Sequence, residues 1–336
     1  MPRRIKRLSV LFICVILIVF SVGGCGKNKE SVNGGADGLF TIRMVTPIST
    51  NEIMVGKALG FFAEQGIKIE FIGAAGKGVT EFQLIEQGLA DIASGHPAHV
   101  AQAILAGVEV KAVAPCIVDN QDFPHVRYLT QEDSSVKTLE DIIGKKVAVR
   151  TISICHDGYL RYYLKTHGLD PEKVEFISFP NPGEMEHAVP QGYVDLCTAH
   201  PPYAGIVLGE GGVREVATSW DIFGNPGAGL SMYSFGEDFI AKHPAVIQGF
   251  VNAAYKSRLW INEHQEEALN IIAKEIGVEP SGLTTFWFDE NKNIDPDYLT
   301  QWFEIAEEIE LWKHGDVVPE ELYTNAFIPE DPIYEQ

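Results

Sequence analysis

The segment Gln87–Pro97, which reads QGLADIASGHP, occurs a second time in altered form as Gln191–Pro201, which reads QGYVDLCTAHP. The glutamine, first glycine, aspartate, histidine and proline are identical in the two copies. Each copy predicts a helix end stopped by glycine, a short buried strand opened by aspartate, and a small-residue turn that leads through His-Pro into the next helix. One α/β unit is therefore expected twice in this chain.

The repeat predicts two sheets with a cleft between them. Strands and helices alternate from about residue 41 to 114, and the alternation restarts near residue 146, which is typical of mainly parallel sheets with helices on their faces. Ligands bind beyond the carboxyl ends of such strands, so His96 and His200 are expected on opposite walls of one cleft. The alternative is that any long α/β chain echoes itself, since helix, glycine, strand and turn often follow one another.

The amino terminus has the pattern of an export signal. Four basic residues precede an uncharged apolar run over 8–22, and the run ends in Val22-Gly23-Gly24-Cys25, which resembles a bacterial lipobox. We predict a signal peptide over 1–25 with the lipid on Cys25, followed by a flexible Gly-rich tether over 26–38. The alternative is an uncleaved signal anchor, although a run of about 15 residues is short for a span of roughly 20.

Charge and cysteine usage narrow the function class. The 336 residues carry a formal net charge of −20, and a surface this acidic repels nucleic acid, so we expect no such partner. The length and the 46% hydrophobic content suit two domains. Beyond the signal, Cys116, Cys155 and Cys197 are widely spaced and form no CxxC pair, so we predict no disulfide framework.

Two further turns carry hydroxyl groups at predicted helix starts. Thr46–Asn51 follows a strand, and Ser49 stands three residues before Glu52, the spacing of a capping box. Thr151–Asp157 lies between another strand and helix. The free N–H groups of such helix starts can hold an anion, although simple capping explains Ser49 equally well. The Gly-rich loop over 73–78 lacks the Walker spacing and is read as a rim of the cleft.

The chain resembles the solute-binding proteins of ABC importers, in the branch that serves nitrate, aliphatic sulfonates, taurine and thiamine pyrimidine precursors. The matching stretches are 60–67 (GFFAEQGI), 87–92 (QGLADI), 105–111 (LAGVEVK), 139–149 (LEDIIGKKVAV), 200–204 (HPPYA) and 239–244 (FIAKHP). The resemblance implies a two-lobed type II periplasmic-binding-protein fold of the α/β class, with two mainly parallel sheets, a ligand cleft between them and a helical C-terminal extension. It places one lobe at 39–129 and 234–336 and the other at 130–233.

The resemblance also implies where the ligand binds and which partners follow. The predicted ligand-binding residues are Thr46, Ser49, Thr50, Asn51, Gly95, His96, Thr151, Ser153, His156, Asp157, His200 and Tyr203. The implied function is capture of a small solute by lobe closure and its delivery to a permease and an ATPase, with no catalysis, no cofactor and no bound metal. We expect a monomer outside the cytoplasm, anchored by its lipid.

The ligand class stays open, because histidines stand where sulfonate or nitrate receptors are expected to have smaller or hydroxylated residues. Hydroxyl-rich helix starts favour an anionic head group, whereas Tyr159, Tyr203 and the histidines favour a flat pyrimidine-like ring.

Three other functions compete with this one. The first is thiol catalysis by Cys155 and His156, but the sequence shows no third group that would orient the histidine toward the thiol. The second is a pyrimidine synthase of the same fold, whose dense cysteine cluster is absent here. The third is a metal receptor that uses His96, His99, His156 and His200, without HxH or HExxH spacing.

Overall fold

The structure is a computed structural model that describes residues 38–76, 79–152, 154–181 and 183–332. The predicted signal peptide over 1–25, its lipid site Cys25 and all but the last residue of the tether lie outside these residues. The predicted ligand-binding residue Ser153 also lies outside them.

Twelve strands and twelve α-helices are formed by the described residues. The strands are β1 (Phe40–Met44), β2 (Ile67–Phe71), β3 (Ile92–Gly95), β4 (Val110–Pro115), β5 (Ile117–Val118), β6 (Arg127–Gln131), β7 (Lys146–Val149), β8 (Glu175–Ser178), β9 (Leu196–Ala199), β10 (Val213–Thr218), β11 (Met232–Gly236) and β12 (Trp287–Phe288). The helices are α1 (Glu52–Ala58), α2 (Phe61–Glu64), α3 (Glu81–Glu86), α4 (Pro97–Leu105), α5 (Tyr159–Thr166), α6 (Glu184–Ala188), α7 (Tyr203–Glu210), α8 (Ser219–Phe223), α9 (Glu237–Lys242), α10 (Pro244–Glu263), α11 (Gln265–Ile276) and α12 (Pro296–Glu308).

Two five-stranded sheets organise the described part of the chain. The first has the order β2-β1-β3-β11-β4, and the second has the order β8-β7-β9-β6-β10. In each sheet one strand, β11 or β6, runs antiparallel to the other four. The prediction of an α/β fold with two mainly parallel sheets is therefore confirmed. We call each sheet with its helices a lobe.

The two sheets share one topology, and the repeated segments occupy equivalent places in it. β3 and β9, the strands of the two copies, both lie at the centre of their sheets. The strand that interrupts each sheet is supplied by a crossover between the lobes: β6 follows the first lobe in sequence but pairs in the second, and β11 returns the chain to the first. The chain thus crosses between the lobes twice.

The aspartate and glycine shared by the two copies have the same structural roles in both lobes. The carboxylate of Asp91 accepts a hydrogen bond from the backbone N–H of Arg43 at 2.7 Å, and Asp195 accepts one from the N–H of Lys146 at 2.9 Å. Each aspartate thereby ties its strand to the neighbouring one. Gly88 and Gly192 have φ angles of 68° and 73°, a left-handed conformation that favours glycine and ends the preceding helix.

Apolar residues at helical spacing after Ser49 predict one amphipathic helix that ends at Gly66, and the structure differs. This segment forms two helices, α1 and α2, because Gly60 takes a left-handed φ of 83° between them. The cap of α1 is Asn51 rather than Ser49: the Asn51 side chain accepts the N–H of Ile53 at 2.9 Å. Asparagine one residue before the helix satisfies the free N–H group directly, so the spacing of Ser49 and Glu52 is not used for a capping box.

The C-terminal helices are placed on both lobes. α10 and α11 pack on α1 of the first lobe, while α12 contacts both α4 of the first lobe and α5 of the second. Trp302 of α12 is fully buried, as core packing predicts. No helix in the described ranges is both long enough and apolar enough to cross a membrane.

Candidate functional site

A cavity of about 210 Å³ lies where the carboxyl ends of β3 and β9 face each other. It is lined by Ser49, Thr50, Asn51, Ser94, Gly95, His96, His99, Cys116, Ile117, His125, Arg150, Cys155, His156, His200, Ser231 and Phe286. A wider groove of about 690 Å³ is lined mainly by residues of the second lobe, among them Gly183, His187 and Tyr203. We take the smaller cavity as the candidate site because buried polar atoms without partners converge on it.

The wall from the first lobe is built by the start of α1 and the turn from β3 to α4. Asn51 both caps α1 and donates from Nδ2 to the hydroxyl of Tyr233 at 3.1 Å. Thr50 donates from its hydroxyl to the carbonyl of Thr284 at 3.1 Å. At Gly95, a Cβ would approach the side chains of His99 and Phe82 to 3.1 and 3.3 Å, so a larger residue would push this turn into its neighbours.

His96 is held at the start of α4 by contacts from distant parts of the chain. Its Nδ1 lies 2.7 Å from the carbonyl oxygen of Leu230, and its ring stacks on Trp302 at a centroid distance of 4.3 Å. Since a carbonyl only accepts, Nδ1 carries the proton and Nε2 is left as an acceptor. Burial lowers the pKa of His96, and His125 and His99 lower it further.

The wall from the second lobe is organised by Thr198 of β9. The Nδ1 of His200 lies 3.0 Å from the backbone carbonyl of Thr198, and the Nδ1 of His156 lies 3.0 Å from its hydroxyl. His200 therefore carries its proton on Nδ1, and its buried Nε2 has no hydrogen-bond partner. Burial lowers the pKa of both imidazoles, and for His200 the charges of His156 and Arg150 add to this effect.

His125 lies between the two walls, on the first crossover before β6. Both of its ring nitrogens are buried without a hydrogen-bond partner. Its ring centroid is 4.8 Å from that of His96 and 4.9 Å from that of His200, and the rings of His156 and His200 are 4.5 Å apart. Burial lowers the pKa of His125, with a further contribution from His200. A continuous row of neutral imidazoles therefore joins the two lobes.

The thiol of Cys155 lies beside these imidazoles. One donor atom from each of His96, His125 and Cys155 lies within 4.8 Å of the other two, and the same holds for Cys155, His156 and His200. All of these residues are buried. Among the described residues, Cys116, Cys155 and Cys197 are not joined to one another by disulfide bonds.

One cationic group faces the cavity as well. Arg150 follows β7, and its Nη2 atom is buried without a hydrogen-bond partner. The buried carboxylate of Glu186 lies close enough for the positive charge of Arg150 to lower its pKa, although burial raises that pKa more. Both oxygens of Glu186 also lack partners. The guanidinium therefore keeps a donor available to an anionic group in the cavity.

The structure brings together seven of the predicted ligand-binding residues, and four others lie elsewhere. The seven are Ser49, Thr50, Asn51, Gly95, His96, His156 and His200. The Thr46 hydroxyl accepts the N–H of Gly73 in the loop after β2, and Thr151 is exposed. Asp157 pairs with Arg161 at 2.8 Å, and Tyr203 lines the wider groove.

Nine lining residues lie outside the predicted ligand-binding set, and His125 and Arg150 matter most among them for binding. The sequence suggested His99 and Cys155 only for a metal receptor and for thiol catalysis, and it did not suggest Ser94, Cys116, Ile117, Ser231 or Phe286 for the site. The sequence predicts Arg150 only as the last residue of a strand, which gives no sign of a role in the site. His125 gave no local signal, because its place depends on where the chain crosses between the lobes.

Comparison with known proteins identifies the family. Residues 49–268 match the sequence profile of the family described as NMT1/THI5 like. The chain belongs to this family. Among its curated relatives is a putative aliphatic sulfonates-binding protein of Bacillus subtilis, 24% identical over 77% of this chain and 76% of that protein. The taurine-binding periplasmic protein of Escherichia coli is 30% identical over 48% of this chain and 51% of that protein.

Solved structures confirm the two-lobed fold. The periplasmic aliphatic sulphonate binding protein SsuA from Escherichia coli superposes with a TM-score of 0.66, at 18% identity, over 88% of this chain and 96% of that one. The family and fold expected from the resemblance to solute-binding proteins are thus both confirmed.

Proposed function

We propose that this protein is an extracytoplasmic solute-binding receptor of an ABC importer. The observation that carries the proposal is the small polar cavity to which both His-Pro turns contribute, one from each lobe. The names of the relatives support it, since those proteins are named for binding sulfonates or taurine. A permease and an ATPase are the partners that such a receptor requires.

The ligand we propose is a small polar solute. A cavity of about 210 Å³ is below the roughly 300–1,000 Å³ of sites for drug-sized ligands. The unpartnered Nη2 of Arg150 favours an anionic head group, such as a sulfonate, nitrate or carboxylate. The neutral imidazoles would equally suit the ring nitrogens of a pyrimidine-like heteroaromatic, which accept and donate hydrogen bonds.

We further propose two lobes and the anchor expected from the sequence. The sequence predicts lobes of 39–129 with 234–336 and of 130–233; because β6 pairs wholly in the second sheet and β11 wholly in the first, we propose that the chain crosses between the lobes just before each of these strands. The anchor is a lipid on Cys25, and the receptor acts as a monomer. Replacing Cys25 with alanine should release or misprocess the protein; retained lipid labelling would argue against the lipobox.

Native mass spectrometry of the purified protein tests the receptor directly. We expect a small solute to remain bound, and its removal to increase the radius of gyration in solution scattering as the lobes open. Micromolar or tighter binding of that solute in calorimetry would support the proposal. Steady catalytic turnover of the bound solute would contradict it.

Thiol catalysis by Cys155 and His156 is the competing function. The Nδ1 of His156 lies 3.0 Å from the hydroxyl of Thr198, and among the described residues that line the cavity there is no carboxylate to orient and charge-stabilise this imidazole as a catalytic base. We therefore propose that the protein is not an enzyme. If a candidate substrate is turned over and Cys155→Ser abolishes the reaction, the enzyme function is correct.

A further inference from the structure

We propose that His96, His125, Cys155, His156 and His200, here called the imidazole cluster, bind a late first-row transition metal ion. An anionic co-ligand of the ion would face Arg150. This inference rests on the proposed receptor function and names the solute: a small metal complex rather than an organic molecule alone.

The donor atoms are already gathered. The cluster contains two triads, His96 with His125 and Cys155, and Cys155 with His156 and His200, each with donor atoms within 4.8 Å of one another. Ligands of a tetrahedral ion, at 2.0–2.3 Å from the metal, stand about 3.3–3.8 Å apart. Side-chain rotations that move the donor atoms by about an ångström would therefore bring either triad to coordination distance around an ion.

The hydrogen bonds behind the imidazoles have the arrangement that metal sites use. His96 and His200 each turn Nδ1 to a backbone carbonyl, of Leu230 and Thr198 respectively. This fixes the tautomer that leaves Nε2 as the ligand, and such outer partners orient metal-binding histidines. The stacking of His96 on Trp302 fixes the plane of its ring as well.

Unpartnered nitrogens point to a missing ligand. Both ring nitrogens of His125 and the Nε2 of His200 are buried without a hydrogen bond. Leaving a buried polar group unsatisfied costs about 1–3 kcal/mol, so three such atoms around one cavity are unfavourable unless something binds them. Coordination to a metal ion would satisfy one nitrogen of each ring.

The chemistry of the donors selects the class of ion. Imidazole and thiolate suit Zn²⁺, Co²⁺, Ni²⁺ and copper, whereas Mg²⁺ and Ca²⁺ require oxygen ligands. Among the described residues that line the cavity there is no aspartate or glutamate. The site therefore favours a late transition metal over a hard cation.

Arg150 and the size of the cavity indicate a second component. A water molecule occupies roughly 30 Å³ of liquid, so a cavity of about 210 Å³ has room for several atoms beside the ion. The positive charge of the Arg150 guanidinium would repel a bare cation. Its Nη2, a donor without a hydrogen-bond partner, would instead pair with a carboxylate of a chelator that carries the ion. A small carboxylate chelate of the metal satisfies both observations.

Calorimetry on the purified full-length protein tests the inference with Ni²⁺ or Zn²⁺, each alone and with citrate, and with Mg²⁺ as the hard-cation control. We expect one metal per protein, tighter binding with citrate, and no binding of Mg²⁺. His125→Ala and His200→Ala should each weaken metal binding by at least roughly 100-fold. Arg150→Gln should remove only the gain from citrate.

Matched controls separate the cluster from other histidines. His187, which pairs with Glu210 outside the cavity, and His314, which pairs with Glu307 on the surface, should leave the affinity unchanged when replaced by alanine. Ni²⁺ should also quench the fluorescence of Trp302, because that ring stacks on His96, and Trp302→Phe should lose most of the quenching. Circular dichroism of each variant confirms folding.

The outcomes distinguish the two proposals. Wild-type metal affinity in His125→Ala and His200→Ala, or a loss caused by His187→Ala, would overturn the metal site. Equal affinity for Ni²⁺ with and without citrate would overturn the co-ligand. If a sulfonate or pyrimidine binds in the cavity and no metal does, the metal inference is wrong while the receptor stands. If nothing binds, the receptor proposal fails as well.

Discussion

The two His-Pro turns have the same sequence pattern and the same place in their sheets, but they are held differently. His96 depends on partners far away in the chain, the carbonyl of Leu230 on the second crossover and the ring of Trp302 on α12. His200 is held by Thr198, two residues earlier in its own strand. His96 is thus fixed by tertiary packing and His200 by local structure. Changes outside the repeat should therefore disturb His96 more than His200.

Replacing Trp302 with alanine should have the largest effect. Trp302 is fully buried, stacks on His96 and donates from Nε1 to the carbonyl of Gly227 at 2.7 Å. We expect a loss of about 3–5 kcal/mol in the free energy of unfolding, measured by urea denaturation. Trp260→Ala is the control, because Trp260 is half-buried and stacks on His264 away from the cavity. An equal loss in both variants would show that the stack on His96 adds nothing.

The two lobes should also differ in their dependence on pH. In the first lobe Glu81 accepts the N–H of Ser94 at 2.9 Å; at the equivalent place in the second lobe, Met185 faces the hydroxyl of Thr198 at 3.7 Å. Burial raises the pKa of Glu81 from 4.5 to about 7. The folded protein therefore keeps a proton that the unfolded chain releases, so stability should fall as the pH rises from about 4.5 to 7.

Glu81→Gln tests this dependence, since the amide keeps an acceptor for Ser94 without titrating. We expect the variant to exceed the wild type by about 1–3 kcal/mol above pH 7 and to have a flatter profile of unfolding free energy against pH. Glu86→Gln, on the exposed side of the same helix, is the control. A wild-type slope in Glu81→Gln would assign the dependence to other buried acids, such as Asp119 or Asp289, whose pKa values burial raises to about 6.

The repeated aspartates give a smaller contrast. Asp91 accepts from the backbone N–H of Arg43 and also from its guanidinium, at 2.6 and 3.0 Å, whereas Asp195 accepts from the N–H of Lys146 and lies 3.7 Å from the amine of Lys145. Asp91→Asn should destabilise the protein by about 1.5–3 kcal/mol, and Asp195→Asn by about 1 kcal/mol or less. Thermal unfolding of the two variants side by side measures the difference; equal losses would mean that the guanidinium contributes nothing.

Thr198→Val should have a small effect on stability and a selective effect on the site. The change removes the hydroxyl that holds His156 but keeps the backbone carbonyl that holds His200. We expect a loss of about 1 kcal/mol in unfolding free energy and a weaker solute affinity caused by His156 alone. In a double-mutant cycle, Thr198→Val should couple to His156→Ala and not to His200→Ala. Coupling to His200 instead would contradict the separate roles of the hydroxyl and the carbonyl.

The repeat could be predicted from the sequence because its determinants are local. Gly88 and Gly192 end helices, and Asp91 and Asp195 tie strands, through backbone geometry that short segments specify. Placing both copies in equivalent sheets then brought His96 and His200 to one cavity.

The rest of the site could not be read from the sequence, because it depends on contacts between distant segments. His125 reaches the cavity only through the path of the first crossover. Asp157 and Thr46 are polar residues on the predicted site loops, but both bind other parts of the protein instead of lining the cavity. Asp157 pairs with the guanidinium of Arg161, one helical turn away, and Thr46 accepts the N–H of Gly73. A polar residue on a predicted site loop is thus only a candidate until its local partners are known.

The central claim is that one solute touches both His-Pro turns. Calorimetry with the solute that co-purifies tests it most directly, on the wild type, His96→Ala, His200→Ala and the double variant. Each single change should weaken binding by about 1–3 kcal/mol, and the two effects should not add independently, since both histidines contact the same ligand. Wild-type affinity in both single variants would contradict the claim and leave the histidines as structural residues of the turns.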